Sequence, residues 1–360
     1  MAEFPEGFFD RADETPDSDF YSFDRLVTHI DPGAIDAVGA LYGELELTGA
    51  VLDICSSWIS HFVQRPERLV ALGMNAGELA ANDAATDTLV HDLNTDPVLP
   101  FGDDEFDAVT CCVSIDYLTR PIDVFDEVAR VLRPDGPFVV TFSNRCFPTK
   151  AIRAWLAADD RQRCSIVATY FALSGAFEPP TVQLRNPGAL GDPLFAVWAR
   201  TLPEGLRIRS VTDDDQPFLT EMQYAALFRA PGEEALSRAV LDEPGVARYH
   251  QAFGTQPGDV GRLATDRDGS PIGVAWVRLV DGYGFVDTAT PELGIAVAAE
   301  HRGRGVGSAL LRSLTAAVPR VSLSVDRRNP AMALYERVGF VEVRTDGEHS
   351  VVMLFDEASR

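Results

Sequence analysis

Lysine is almost absent from this chain of 360 residues. Lys150 is the single lysine and arginine supplies every other basic side chain, giving 31 basic residues against 55 acidic ones. The net charge of −24 at pH 7 argues against binding to nucleic acid or to an anionic membrane, because phosphate groups need a basic partner surface. The shortage of lysine itself is typical of a coding bias or of a salt-adapted surface, and it indicates no mechanism.

Long apolar runs are also lacking. No segment approaches the roughly 18 consecutive apolar residues that span a bilayer. The acidic N-terminus does not have the basic and then apolar form of a secretory signal. A cytoplasmic protein is therefore expected, and nothing in the sequence indicates its oligomeric state.

Cysteine is confined to the first half of the chain, where its five residues show no C-x-x-C spacing. An odd number of cysteines in a cytoplasmic protein favours reduced, buried thiols over a disulfide framework. Cys111 and Cys112 are neighbours on a predicted strand, so their side chains point to opposite faces and cannot hold one metal ion together. No metal site is predicted.

The length of the chain predicts two domains, each large enough for its own core. Residues 1–24 are rich in acids and poor in apolar periodicity, which predicts a flexible or loosely docked arm. A short stretch containing proline and glycine, 201–205, predicts the boundary between a first domain, 25–200, and a second, 201–360.

Strand-like apolar runs alternate with helix-like stretches in the first domain, and the clearest helix is 122–132. This alternation predicts an α/β domain with a parallel sheet. The predicted strands are 51–55, 69–73, 106–113 and 138–142.

Three short motifs follow one another in the same domain: Leu-Pro-Phe at 99–101, Phe-Asp-Ala-Val at 106–109 and Leu-Arg-Pro-Asp-Gly at 132–136. They resemble motifs of the class I S-adenosylmethionine-dependent methyltransferases. The resemblance covers about residues 45–200 and implies a Rossmann-like methyltransferase fold that ends in an antiparallel strand pair at 181–185 and 194–199. It also implies a candidate S-adenosylmethionine site at Asp53 and Asp92.

The loop after the first strand lacks the glycines that this family carries in Asp/Glu-x-Gly-x-Gly-x-Gly. Residues 53–60 are Asp-Ile-Cys-Ser-Ser-Trp-Ile-Ser, so side chains occupy space that the family leaves for the cofactor. The second strand also ends without the acid that holds the ribose in the family, and offers the amide of Asn75. Two hypotheses stay open: a working methyltransferase, or a degenerate module for binding or docking.

The second domain is organised around residues 292–311. A short apolar strand, 293–297, leads through a polar turn into a glycine-rich helix start. The unpaired N–H groups and the dipole of a helix start attract anions, and glycine lets a phosphate come close. The small and basic residues of this predicted pyrophosphate site are Arg302, Gly303, Arg304, Gly305, Gly307 and Ser308. Gly305 and Gly307 are expected to leave room for the phosphate.

A second motif, Asn329 followed by Leu334-Tyr335 and Gly339-Phe340, comes about twenty residues later. Together the two motifs resemble the GNAT superfamily of acyl-CoA-dependent N-acetyltransferases, whose loop Arg/Gln-x-x-Gly-x-Gly/Ala is matched at 302–307. The resemblance covers 201–360 and implies a GNAT fold that uses acetyl-CoA. In this family, backbone groups at Ile295 and Val297 would hold the pantetheine.

The resemblance also implies roles for single side chains. Tyr335 is the expected general acid for the CoA sulfur, with core packing as the alternative. Asn329 either contacts CoA or caps its helix. Glu292 is the preferred general base and Asp287 the second choice, although each of these acids is also explained by a solvated side chain. Tyr224 and Tyr283 either line the acceptor pocket or are ordinary surface or core aromatics. His250 and His301 have no partners at metal or triad spacing and are expected to be solvent-exposed or packing residues.

The leading hypothesis is direct transfer of acetyl from acetyl-CoA to an amine. The acceptor is expected to be a small molecule or a peptide. The alternatives are a bifunctional protein that also methylates, using S-adenosylmethionine, and a first domain that only binds or docks.

Overall fold

The structure is a computed structural model that describes residues 4–230 and 232–359. The chain divides after Glu204 into two compact units, four residues beyond the end predicted for the first domain. Within the described ranges, every helix is too short or too polar to span a bilayer.

In the described part of the first unit, one sheet contains seven strands: β1 (Ala50–Ser56), β2 (Arg68–Gly73), β3 (Asp87–Val90), β4 (Ala108–Cys112), β5 (Pro137–Phe142), β6 (Thr181–Leu184) and β7 (Phe195–Arg200). Their order is β3-β2-β1-β4-β5-β7-β6. The first five strands are parallel, and β7 and β6 complete the predicted antiparallel pair. The strand order reverses at β1, so the carboxyl ends of β1, β2 and β4 meet where such sheets bind ligands.

The helices of this unit are α1 (Asp17–Phe20), α2 (Pro32–Glu44), α3 (Ala76–Ala80), α4 (Pro121–Val131), α5 (Arg153–Ala157) and α6 (Asp160–Ser174). Helix α4 illustrates how the sequence specifies them. Pro121 occupies the first turn, where its missing N–H has no consequence, and Val124, Val128 and Val131 recur at helical spacing and are fully buried. The connection 57–67 between β1 and β2 contains no helix, although a doubly wound fold usually has one there.

Residues 4–24, expected to be a flexible arm, instead pack against the first unit. Phe4 and Phe8 lie against its core. The fully buried Lys150 donates from Nζ to Thr15 O at 2.7 Å and lies 3.2 Å from Asp17 Oδ1. A buried ammonium needs such partners. Asp17, an acid of the segment expected to be flexible, is therefore a buried partner of this lysine.

In the described part of the second unit, one sheet contains β8 (Arg207–Ser210), β9 (Val260–Thr265), β10 (Pro271–Arg278), β11 (Glu292–Val297), β12 (Arg320–Asp326), β13 (Val341–Asp346) and β14 (Ser350–Asp356). Their order is β13-β14-β12-β11-β10-β9-β8, and every neighbouring pair is antiparallel except β11 with β12.

The helices of the second unit are α7 (Gln216–Ala226), α8 (Pro244–His250), α9 (Val306–Ala317) and α10 (Met332–Val338). The sequence predicts a helical stretch over 233–253 with a break near Pro244-Gly245, and this stretch forms only in part. Helix α8 begins at Pro244 and a 3-10 turn at Arg238–Asp242 precedes it, because Glu243 is extended before Pro244.

Strands β11 and β12 pair at only one position. Glu292 lies opposite Ser322, and Ser322 N donates to Pro291 O at 3.0 Å. Beyond this position the two strands separate towards their carboxyl ends, which lead to α9 and α10. A gap therefore opens between two neighbouring strands of the sheet.

Candidate active site

The edge of β11 that faces this gap carries backbone groups without a strand partner. Ala298 N donates to Ile272 O at 2.8 Å, so the even-numbered residues of β11 are the ones that bond to β10. The backbone groups of Ile295 and Val297 therefore point to the other side, towards β12. These are the two residues predicted to hold pantetheine, and the structure places both at the gap.

The glycine-rich turn begins helix α9 at the open end of the gap. Gly303 and Gly305 have φ angles of 75° and 84°, in the left-handed region that favours glycine. The bond from Ala309 N to Gly305 O is the first of the helix, so the N–H groups before it have no acceptor within the helix. With the helix dipole they form an anion site.

Two arginines flank this turn in different ways. Arg302 Nε donates to Val297 O at 2.9 Å and so ties the turn to the end of β11. Arg304 is exposed. Arg302 therefore orders the turn, while Arg304 supplies a solvent-exposed positive charge beside the half-buried Ser308.

Gly307 is required by helix packing. A Cβ at this position would lie 3.1 Å from Leu334 Cδ2, a side chain of α10. The missing side chain therefore lets α9 and α10 approach each other. This differs from the expectation that Gly307, like Gly305, leaves room for a pyrophosphate.

Tyr335 lies on α10 and is 8% exposed, with its ring centroid 5.9 Å from that of Phe340. Burial raises the pKa of Tyr335 to about 12. The hydroxyl therefore stays protonated at neutral pH, as a general acid must. The packed ring is compatible with the predicted role in core packing, and the protonated hydroxyl is compatible with the predicted role as general acid.

Asn329 acts locally in the turn before α10. Its Oδ1 accepts a hydrogen bond of 2.9 Å from Ala331 N. This bond closes a local turn before α10, whose N-cap residue is Ala331. Contact with CoA and helix capping therefore both stay predictions for Asn329.

Glu292 lies buried, 2% exposed, where β11 and β12 begin to separate. Its carboxylate accepts three hydrogen bonds of 2.7 Å, from Gly282 N, Gly284 N and Tyr249 Oη. The geometry therefore favours a role in anchoring the loop before β11. A role for Glu292 as general base stays a prediction.

The other acid considered as a base has a different environment. Asp287 accepts hydrogen bonds from Arg320 Nη1 at 2.7 Å and Thr290 Oγ1 at 2.8 Å. The bond from Arg320 is the main cause that lowers the pKa of Asp287 to about 2. A carboxylate this acidic is a weak base at neutral pH.

The aromatic and histidine residues without an assigned role are scattered. Tyr224 Oη donates to Leu236 O at 2.6 Å, while Tyr283 is 59% exposed. His301 ends a 3-10 turn before the glycine loop, and His250 is buried at the end of α8.

Tyr249 is a residue of this region that sequence reasoning missed. Its hydroxyl donates to Glu292 and accepts from Tyr283 N at 2.9 Å. Its two partners lie 43 and 34 positions away in the sequence, so no local pattern points to it.

The first unit has a cavity of about 270 Å³ at the carboxyl ends of β1, β2 and β4. Asp53 and Asp92 both line it, as the proposed cofactor site requires, and so do Tyr21 and Arg25 of the N-terminal segment. Among the described residues, no group of histidine, cysteine and acidic side chains could hold a metal ion.

The two acids of this cavity are bonded to the protein itself. Asp53 is buried, which raises its pKa, and Asp92 accepts from Asn94 N and Thr95 Oγ1 in a local turn. The donors to Asp53, each at 2.6 or 2.7 Å, are Ser56 Oγ, Ser60 Oγ and Thr110 Oγ1. Cys55, which replaces the first glycine of the family loop, has a φ of 52°, a conformation that glycine adopts more easily.

The position of the acid that holds the ribose in the family is occupied by Asn75, which follows β2. Asn75 uses both ends of its amide, since Oδ1 accepts from Glu78 N and Nδ2 donates to Tyr21 O, each at 2.9 Å. No helix follows β1 in the connection 57–67, so the contacts at the carboxyl ends of β1 and β2 differ from those that the family resemblance implies for S-adenosylmethionine.

Two sequence models of known domains match this chain. One, described as an acetyltransferase (GNAT) domain, matches residues 262–342, from β9 to the start of β13. The other, described as a methyltransferase domain, matches residues 54–140, from β1 to β5. Each match lies within one structural unit.

Three single proteins that are similar to this chain each match less than half of its length. The mycothiol acetyltransferase of Propionibacterium freudenreichii is 31% identical over 153 residues, which are 40% of this chain and 46% of that protein. The chain therefore spans about half the length of this relative. The spermidine N-acetyltransferase of Vibrio cholerae has 21% identity and a TM-score of 0.31, with 43% of this chain and 95% of that chain covered.

A GNAT-family acetyltransferase of Streptococcus pneumoniae has 17% identity and a TM-score of 0.29, with 41% of this chain and 98% of that chain covered. The assignment of the two units rests on the domain models and on the motifs described above. The second unit of this chain contains a GNAT acetyltransferase domain, and the first contains a methyltransferase domain with an altered cofactor site.

Proposed function

We propose that the second unit transfers the acetyl group of acetyl-CoA to a primary amine. The gap between β11 and β12 is the observation that carries this proposal. A strand rises about 3.3 Å per residue, so the open edge 293–297 is about 13 Å long. This edge leads from the anion site at α9 towards Glu292. Its length and direction suit an extended pantetheine arm.

Acetyl-CoA supplies the activated thioester. Residues of the chain bind and orient it and protonate the leaving group. The N–H groups at the start of α9 and Arg304 bind the pyrophosphate, and the backbone of Ile295 and Val297 orients the thioester. The amine nitrogen bonds to the acetyl carbon as the C–S bond breaks. Tyr335 donates its hydroxyl proton to the departing sulfur, and the proton lost by the amine passes to solvent.

A small-molecule amine is the acceptor that we favour. The relative that is 31% identical over 153 residues is a mycothiol acetyltransferase by name, which supports a small molecule over a protein terminus. A net charge of −24 attracts a cationic amine and repels an anionic one.

Release of the free CoA thiol from acetyl-CoA tests the proposal. A suitable acceptor panel contains 1,4-diaminobutane, spermidine, glucosamine, glycine and a short peptide with a free N-terminus. We expect at least one small amine to raise the rate well above that without amine. If acetyl-CoA binds tightly but no amine of the panel accelerates the release of CoA, acetyl transfer to small amines is contradicted.

For the first unit we propose a binding or structural role without methyl transfer. The internal bonds of Asp53 and of the Asn75 amide support this role over the bifunctional alternative. S-adenosylmethionine should then not stabilise the full chain against thermal unfolding at millimolar concentration. A ligand at a hundredfold excess over its dissociation constant stabilises by about 2.7 kcal/mol, so a dose-dependent rise in Tm would restore the bifunctional alternative.

A further inference from the structure

The loop before β11 lies between the two separating strands. Gly282 and Gly284 donate their N–H groups to Glu292 on β11. On the opposite side, a Cβ on Gly284 would lie 2.8 Å from the carbonyl carbon of Leu323 on β12. Residues 282–284, here called the wedge, therefore contact both strands where the gap begins.

Tyr249 of α8 holds the wedge from a third direction. Its hydroxyl bonds at once to Glu292 and to the backbone of Tyr283, at 2.7 and 2.9 Å. A Cβ on Gly282 would lie 2.0 Å from that hydroxyl oxygen, so the wedge has no room to shift towards α8. A single hydroxyl thus links the strand, the wedge and the helix.

The middle residue of the wedge presents an aromatic surface. Tyr283 is 59% exposed, and its ring lies parallel to that of Tyr249 with the centroids 6.4 Å apart. Its backbone N–H is held by Tyr249, and Gly282 and Gly284 on either side bond to Glu292, so the backbone that carries this exposed ring is anchored beside Glu292. An aromatic ring in this state attracts an ammonium group.

We propose that Tyr249 is a positioning residue for acetyl transfer. Together with Glu292 it fixes the wedge, and it thereby holds Tyr283 as the wall against which a cationic amine lies. The role in catalysis rests on the proposed function, whereas the dependence of the wedge on Tyr249 does not.

Tyr249→Phe in the full chain tests the structural part, because it removes the hydroxyl and keeps the ring. The amide hydrogens of residues 282–284 should exchange with deuterium about tenfold faster or more, while those of β9 and β10 stay unchanged. Thr315→Val is the matched control, since it removes another buried hydroxyl bond of the unit, from Thr315 Oγ1 to Leu311 O at 2.9 Å. Unchanged exchange of the wedge in Tyr249→Phe would overturn the proposal.

Kinetics test the catalytic part, with the amine of the panel that the parent acetylates fastest. Tyr249→Phe and Tyr283→Leu should each raise the KM for the amine about tenfold, with the Kd of acetyl-CoA unchanged, whereas Tyr283→Phe should behave like the parent. A parental KM in Tyr249→Phe, despite a loosened wedge, would overturn the positioning role. If the parent acetylates no amine, the proposed function fails, and the exchange experiment decides on the wedge independently.

Discussion

Two acids near the start of β11 show how far the surroundings of a residue decide its chemistry. Arg320 holds Asp287 in an ion pair at the surface and lowers its pKa to about 2. Glu292 is buried instead, and three donors of the protein fix its carboxylate. Burial raises the pKa of Tyr335 to about 12, so its hydroxyl is protonated at neutral pH, and its role as general acid stays a prediction.

Tyr335→Phe should lower kcat about 10²–10⁴-fold, because it removes the proton and keeps the packed ring. The affinity for acetyl-CoA should change little. Turnover measured where chemistry limits the rate, together with calorimetric titration of acetyl-CoA, checks both expectations. A kcat within about threefold of the parent would leave Tyr335 as a packing residue. Its own pKa should not produce a limb of the pH profile between pH 6 and 10, because the hydroxyl is protonated throughout that range.

Gly305→Glu should weaken acetyl-CoA binding about tenfold or more, because it brings a negative charge to the anion site at the start of α9. Gly347→Glu is the matched control. Gly347 also has a positive φ, 71°, and open space around its Cβ, so it shares the backbone strain of Gly305 without the site. Equal calorimetric affinities of the two variants for acetyl-CoA would remove the glycine turn as the pyrophosphate site.

The position of a helix or segment in the fold depends on contacts that its own sequence predicts only in part. The residue at which α9 starts follows from the glycines of its sequence. The distance between α9 and α10 depends on the close approach of the Leu334 side chain to Gly307, which has no Cβ. The N-terminal segment has no apolar periodicity, yet its phenylalanines pack against the core and the buried Lys150 bonds to it. A segment that looks flexible in the sequence can therefore be held by partners elsewhere in the chain.

Lys150→Met should free residues 4–24 from the first unit. Removing one partner of a buried ion pair typically costs about 3–5 kcal/mol. Asp17 keeps Arg11 as a second cation at 2.8 Å, so the cost here should lie in the lower part of that range or below it, and Thr15 O also loses its donor. Limited proteolysis should then cut the segment in the variant and spare it in the parent. Arg200→Met is the control, because Arg200 forms a surface pair with Asp135, and such pairs contribute about 0–1 kcal/mol. Equal resistance of all three proteins would show that the aromatic contacts of the segment suffice.

The charge of −24 acts on the whole molecule. Like charges on a compact chain repel one another, and this repulsion lowers the free energy of unfolding. Added salt screens the repulsion, since the Debye length falls from about 10 Å at 0.1 M to about 3 Å at 1 M.

The Tm of the full chain should therefore rise between 0.1 and 1 M KCl, because the Debye length becomes short over this range. Differential scanning calorimetry measures this rise. Sorbitol at matched osmolarity is the control, because it is excluded from protein surfaces without screening charge. A Tm that stays level or falls with KCl would contradict self-repulsion as a source of instability.

Local patterns in the sequence determined the two α/β units, most strands, the glycine turn and the helix carrying Tyr335. They did so because strand and helix periodicity, and the conformational freedom of glycine, are properties of neighbouring residues. The missing glycines after β1 likewise predicted an altered cofactor site, and in that loop Cys55 has a φ of 52°, a conformation that glycine adopts more easily.

Only the tertiary structure decided which polar groups meet. Lys150 reaches Thr15 across 135 positions, and Tyr249 reaches Glu292 across 43. Glu292 looks like an ordinary solvated side chain in the sequence, since burial and hydrogen bonding depend on partners that no local pattern names. The family resemblance implied free backbone groups at Ile295 and Val297, but no pattern within either strand shows that β11 separates from β12, because strand pairing is a relation between segments.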